Sequence, residues 1–305
     1  STFVVAGMAL ARALATLPVE LVEVRPARTL AVHFREAEAG GDTVIFVHGS
    51  AAALVQWEHQ IIHFAAQGFN VCAYDAIGCG RSPKPDHWES YSTESLYDDL
   101  KAIVARYGGS GRVTLVGHSA GCGQVMRLAA EASGTADPAC VSSLPAPRAP
   151  AAVVLIAPLI TVPSSIGIFR LPVFVLDWLR PTLSAGFAER ALHAKTRDAR
   201  TDHHRTLIQQ SEEMSGANPM HMCKAYYRQW KLPANDVVVR STVPVLLING
   251  EADAIAQVET HAKPLSAIIG SNALDLVVVP EAAHQVMQEQ PEPVNEAIMA
   301  VLRRS

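Results

Sequence analysis

The sequence predicts an α/β protein: a mostly parallel, eight-stranded sheet with helices on both faces and a helical cap inserted over one end. Short runs rich in Val, Ile and Leu recur at 19–25, 29–35, 43–48, 70–75, 112–117, 152–157, 244–249 and 274–279. Segments with apolar residues at helical spacing separate most of them. One interval, 158–240, is too long for a single crossover. Strand–helix alternation of this kind implies a doubly wound parallel sheet, and the long interval implies an insertion.

The first two runs alternate apolar and polar residues, as an edge hairpin does. The later six are nearly continuously apolar, as strands covered on both faces are. In 55–67, Trp57, Ile61, Phe64 and Ala65 share one helix face. In 93–107, Leu96, Leu100, Ile103, Val104 and Tyr107 do the same, and Ser92 or Thr93 can cap the start. Residues 131–150, rich in Pro, Ala and Ser, read as an exposed loop. The long interval holds Pro158, Pro163, Pro172, Pro181, Pro219 and Pro233, with helix-like stretches at 173–180, 184–198, 200–215 and 219–230. Its apolar segment from Ile166 to Leu179 is expected to face the site. Of its apolar side chains Phe169, Phe174, Val175, Trp178 and Leu179, only some should line the pocket. The division is therefore a core of 1–157 and 241–305 with a cap of 158–240.

Composition narrows the function classes. Of 305 residues, 49% are hydrophobic, enough for a large buried core. The 25 Lys and Arg against 29 Asp and Glu leave no basic excess to neutralise phosphates, and aromatics are 6%, so no nucleic-acid partner is expected. Residues 151–169 carry no charge, but Pro158, Pro163, Ser164, Ser165 and Gly167 interrupt them. A spanning helix needs about 20 apolar residues. This stretch reads as a buried strand running into a hydrophobic loop, and association with a lipid surface stays open. Cys72, Cys79, Cys122, Cys140 and Cys223 form no CxxC pair. Reduced thiols in a cytoplasmic protein are the expectation, with a Cys79–Cys122 disulfide left open and any targeting segment ahead of Ser1 invisible. His59 and His63 have the i, i+4 spacing of a zinc helix, but Gln60 replaces the glutamate such a helix uses as base. No third ligand is placed nearby, so no metal is expected.

The chemistry concentrates in Gly117-His118-Ser119-Ala120-Gly121, which follows the run RVTLV and opens a helical segment. A serine at a sharp strand-to-helix turn projects its hydroxyl outward, and the helix N-terminus offers backbone N–H groups to a developing negative charge. A serine hydroxyl needs a base, and the base needs a carboxylate to fix its tautomer. Asp253 follows the run at 244–249, with Glu251 as the alternative acid. His284 follows the run at 274–279. Loops at the same ends of neighbouring parallel strands meet in one crevice. An Asp253 that merely caps a following helix is the competing reading. His118 and His48 read as structural.

These segments resemble the α/β-hydrolase superfamily. The resemblance rests on VIFVHGS (44–50), YDAIGCGRSPKP (74–85), LVGHSAG (115–121), LLINGEAD (246–253) and VVPEAAHQVMQEQPE (278–292), in the order the family requires. It implies the α/β-hydrolase fold, with Ser119 as nucleophile, Asp253 as acid and His284 as base, and no cofactor. His48-Gly49-Ser50 resembles the family's oxyanion loop, which implies backbone donors at Ser50 and Ala120, with Ala51 the alternative for the first. Epoxide hydrolases and haloalkane dehalogenases of this fold carry aspartate where Ser119 stands, so the resemblance implies acyl chemistry on a small-molecule substrate. Cys79 and Cys122 depart from common family residues and bear on pocket shape. An ester hydrolase is expected first. A C–C bond hydrolase with the same triad, or a low-turnover ligand receptor, are the alternatives.

Overall fold

The computed structural model describes residues 17–304 apart from 39, 40, 136, 138, 139, 141, 143, 146 and 147. The first sixteen residues of the expected core span therefore lie outside the described residues, and the 131–150 loop is described only in part. Eight strands form one sheet: β1 (Glu20–Arg25), β2 (Arg28–Arg35), β3 (Thr43–Val47), β4 (Asn70–Asp75), β5 (Val113–His118), β6 (Ala152–Ile156), β7 (Val245–Gly250) and β8 (Ala273–Val279). Their order is β1-β2-β4-β3-β5-β6-β7-β8. Only β2 runs antiparallel to its neighbours. The chain leaves β3 for β4 on one side, then returns across it to β5 on the other. Such a reversal opens a crevice at the carboxyl ends of the strands. The loops after β3 and β5 carry Ser50 and Ser119.

Strand periodicity divides the core. Val44, Phe46, Val116, Val154 and Leu246 face α1 (Glu58–Ala66) and the C-terminal helix, where Trp57, Phe64 and Ile298 are buried against them. Ile45, Leu115, Leu155 and Leu247 face the other way, toward Leu100 and Ile103 of α2 (Thr93–Tyr107) and Val125 and Leu128 of α3 (Ala120–Ala132). Each fully buried side chain of this size contributes roughly 1.5–3 kcal/mol. Ser92 caps α2 by accepting from the Ser95 N–H at 3.1 Å. Thr93 instead accepts from the Lys231 N–H and donates to the Gln229 carbonyl, tying α2 to the far end of the cap.

The inserted segment folds as helices: α4 (Val173–Ala191), α5 (Asp202–Ala217) and α6 (Met220–Gln229), with one-turn pieces at Ala194–Arg197 and Asn235–Val239. The core resumes with α7 (Lys263–Ile269) and ends in α8 (Pro291–Arg304). Residues 151–169 are β6 followed by loop and a short 3₁₀ segment, and no helix among the described residues is long and apolar enough to cross a membrane.

Four expectations need correction. The stretches at 173–180 and 184–198 are separated by sequence at Pro181, yet α4 runs through it. Arg180 donates to the Asn218 carbonyl and pairs with Asp177, which holds α4 beside the end of α5 across the proline. Strand β8 is not covered on both faces. It is the edge strand, and Leu274 and Val278 are exposed. Phe174 and Trp178 do not face the site; they are 75% and 79% exposed, on the outer side of α4. The 131–150 segment is not uniformly exposed, because Asp137 is buried against Arg127 at 2.8 Å and Cys140 is buried beside it.

Core and cap also meet at a buried carboxylate. Glu58 Oε2 accepts from Gln210 of α5 at 3.3 Å, and Oε1 has no partner among the described residues. Burial pushes this carboxyl up to about 7, against the smaller opposing effect of Gln210. The native state thus keeps a proton that the unfolded chain loses near its ordinary value of 4.5. Stability contributed by that proton is complete below the unfolded value and falls as pH rises through the folded one. Glu58→Gln mimics the neutral form. It is expected to unfold above the parent at pH 8, by roughly 1–3 kcal/mol, and to match it at pH 4. Thermal unfolding at the two pH values checks this, and an equal difference at both would contradict it.

Candidate active site

The turn between β5 and α3 is set by close packing. A Cβ on Gly121 would lie 2.6 Å from the Val47 carbonyl oxygen, and one on Gly117 would lie 2.9 Å from the Cys122 nitrogen. Helix α3 therefore rests directly on the end of β3, and the chain must turn within one residue. That residue is Ser119, at φ 51° and ψ −118°. A non-glycine residue in such a conformation stores about 1–3 kcal/mol. The Ser119 N–H donates to the Ile156 carbonyl and its own carbonyl accepts from Cys122, so the turn is held from both sides.

Asp253 and His284 come from the loops after β7 and β8, and the Gly250 and Ala252 region packs on the backbone of Ala282 and Ala283. His284 Nδ1 lies 2.9 Å from Asp253 Oδ2, with both residues buried. Asp253 Oδ1 accepts from the Ile255 and Ala256 N–H groups at 2.8 Å each. Asp253 thus forms a turn and orients His284 at once, one oxygen for each. Burial alone would raise this carboxyl. The His284 imidazole and the two backbone donors outweigh it and hold the group below its usual value, as the anion. Glu251, the alternative acid, is exposed. Ser119 and His284 line the same cavity, and no hydrogen bond closes between them among the described residues. Such contacts commonly tighten only with substrate bound.

The two structural histidines hold the frame. His48 Nε2 accepts from the Ala76 N–H, which leaves Nδ1 to donate to the Gly49 carbonyl at 2.7 Å. His118 Nε2 donates to the His284 carbonyl at 2.9 Å. Burial, then the neighbouring His284, push His118 down to about 3, so its ring is neutral. The backbone N–H groups of Ser50 and Ala120 have no backbone acceptor among the described residues, whereas the Ala51 N–H, at φ 54°, is directed to the Cys79 thiol. Ser50 lines the same cavity as Ser119, and Ala120 follows Ser119 at the helix N-terminus.

The cavity measures about 530 Å³. Gly49, Ser50, Ser119, His261 and His284 form its polar floor, and Ile166, Ile168, Phe169, Leu183, Phe187 and Met214 of the cap its apolar roof. His261 Nδ1 accepts from the Ile160 N–H at 3.3 Å, which places the ring proton on Nε2. All five cysteines are free and buried, and Cys223 alone among them lines the cavity. Burial raises the thiols, so none is an activated nucleophile.

Sequence reasoning missed several residues here. Glu289 is buried, accepts from the His193 N–H and Thr196 hydroxyl through Oε1, and from the Ala283 N–H through Oε2, at 2.6–2.7 Å. It clamps the histidine loop to the cap; the signal was its place inside the 278–292 motif. Asn218 donates to the Ala51 carbonyl, and Tyr227 lies against Ser50. Both come from the cap, where no motif marked them.

With fold and site described, sequence comparison places the chain. It belongs to the serine aminopeptidase S33 family of α/β hydrolases, whose sequence model matches residues 41–291. Mouse protein ABHD8 is 29% identical over 284 residues, 89% of this chain, and the chain spans 58% of that relative's length. A non-heme chloroperoxidase from Streptomyces lividans is 28% identical over 273 residues, covering 86% of this chain and 92% of that one. A thermophilic esterase from Thermogutta terrifontis matches in structure with a TM-score of 0.72 at 21% identity, over 90% of this chain and 94% of that one. At that identity the structural likeness speaks to the fold.

The packing at the turn predicts opposite signs for two glycine substitutions. Gly121→Ala drives a methyl into the Val47 and His48 carbonyls and should lower stability by about 1–3 kcal/mol. Gly186→Ala, in α4 with open space around it, should raise stability by roughly 0.5–1 kcal/mol. Denaturant unfolding of the two variants checks both signs.

Proposed function

We propose that this α/β hydrolase cleaves an ester or related acyl bond of a small, partly apolar substrate through an acyl-enzyme on Ser119. The observation that carries the reading is that His284, paired with the buried Asp253, lines the same cavity as Ser119. Ser119 attacks the carbonyl carbon while His284 takes its proton. Asp253, held as the anion, stabilises the imidazolium and fixes its tautomer. The oxyanion forms against the N–H groups of Ala120 and Ser50, which have no backbone acceptor among the described residues. His284 returns the proton to the leaving group, and a water activated by the same imidazole releases the acid.

The acyl reading follows from the nucleophile. A serine yields an acyl ester, which water can hydrolyse, whereas an alkyl-ester mechanism needs a carboxylate at that position. The cavity volume and apolar lining from the cap suit a compact substrate with a hydrocarbon part.

Rapid-mixing hydrolysis of short p-nitrophenyl esters tests the reading. A burst of one nitrophenolate per chain is expected, followed by slower turnover. Ser119→Ala should lose the burst and about 10⁴-fold or more in kcat. Asp253→Asn, which stabilises the wrong tautomer, should lose on the order of 10³–10⁴-fold. Turnover that survives Ser119→Ala would refute the acyl-enzyme.

A further inference from the structure

The cap reaches the oxyanion loop at two points. Asn218 Nδ2 donates to the Ala51 carbonyl at 2.5 Å and to the Met214 carbonyl at 2.9 Å. Tyr227 of α6 places its hydroxyl 3.1 Å from Ser50 Oγ. The Tyr227 ring is held by stacking on Phe169 at 4.4 Å and by edge contact with Tyr226. Ser50 and Tyr227 both line the cavity that holds Ser119.

Two hydroxyl groups carry two protons, and the hydrogen bond between them uses one. Neither oxygen has another protein acceptor among the described residues. One O–H is therefore left free, on the same loop as the unpaired Ser50 N–H. Tyr227 is the better donor of the two, because a phenol gives up its proton to a hydrogen bond more readily than an alkyl alcohol. Burial also raises the phenol, so it remains protonated. With Tyr227 donating, Ser50 Oγ is filled on its acceptor side and its own proton turns toward the cavity.

We infer that the Ser50 side chain is a third oxyanion donor, oriented by Tyr227 from the cap. The inference rests on the acyl-transfer reading of Ser119. It assigns to Ser50 a catalytic role beyond its backbone N–H, and to Tyr227 a positioning role. It also makes the cap part of the chemistry, since the oxyanion hole is complete only with α6 in place. A donor used only once the carbonyl oxygen becomes an anion should act on kcat rather than on substrate binding.

The test uses the full chain and a short p-nitrophenyl ester, with an alkylboronic acid as the tetrahedral analogue. Ser50→Ala keeps the backbone N–H and removes the hydroxyl. It is expected to lower kcat roughly 10- to 100-fold, to leave KM within about threefold, and to weaken boronate inhibition in step with kcat. Ser50→Thr keeps a hydroxyl and should recover most of the loss. Tyr227→Phe should give a smaller fall in kcat, again with KM nearly unchanged, because the Ser50 proton is then present but undirected. Matching unfolding temperatures show that the variants are folded. The inference is overturned if Ser50→Ala stays within twofold of the parent, if the loss appears in KM, if Ser50→Thr is no better than Ser50→Ala, or if Tyr227→Phe costs more than Ser50→Ala. A parent protein that neither turns over esters nor binds boronate removes the acyl-transfer reading itself, and this assignment with it.

Discussion

The site depends on how closely α3 lies against the end of β3. At Gly121 there is no room for a side chain beneath the Val47 carbonyl, so the chain must turn between strand and helix in a single residue. Ser119 takes the strained conformation that results, and the bonds from Ile156 and Cys122 keep it there. One packing constraint therefore yields an outward serine, a free Ala120 N–H and a helix N-terminus aimed at the same point. None of these could be adjusted separately.

The remaining parts are brought to that point by parallel strands. The loops after β7 and β8 interlock through Gly250, Ala252 and Ala282, which sets Asp253 opposite His284. His118, next to the serine, bonds the His284 carbonyl, so serine and histidine are also tied through the backbone. Glu289 carries the same tie outward to the cap at His193 and Thr196. The crevice is thus braced by polar groups whose partners are all internal, which restricts the histidine ring before substrate arrives. Preorganisation of this kind is what allows fixed dipoles to act at the transition state without reorganising.

Much of this was legible in the sequence because it depends on local rules. Every strand lies within one residue of its apolar run, and the turn at Ser119 was recognisable from its glycines and flanking elements. The loops bearing Asp253 and His284 were placed by strand order. The cap was legible only as helices. Spacing shows that α4 is helical, but not which side looks toward the sheet. Leu183 and Phe187 line the cavity while Phe174 and Trp178 face solvent. Pro181 marks a helix end by local rules, and Arg180 overrides it by contacts with α5 that no local pattern encodes. Tyr227 and Asn218 were missed because each matters through a partner far away in the chain, and Glu289, though inside a motif, reaches the cap only through the distant His193 and Thr196. The fold and the candidate site residues are written locally, and the surroundings that hold them are written in tertiary contacts.

The central claim is that this geometry makes one serine hydroxyl nucleophilic. Reaction of the folded chain with a fluorophosphonate, followed by peptide mass mapping, tests it without any knowledge of the substrate. The account predicts a single adduct per chain, on Ser119, absent in Ser119→Ala. A folded protein that takes up no label, or takes it on another residue, would contradict it.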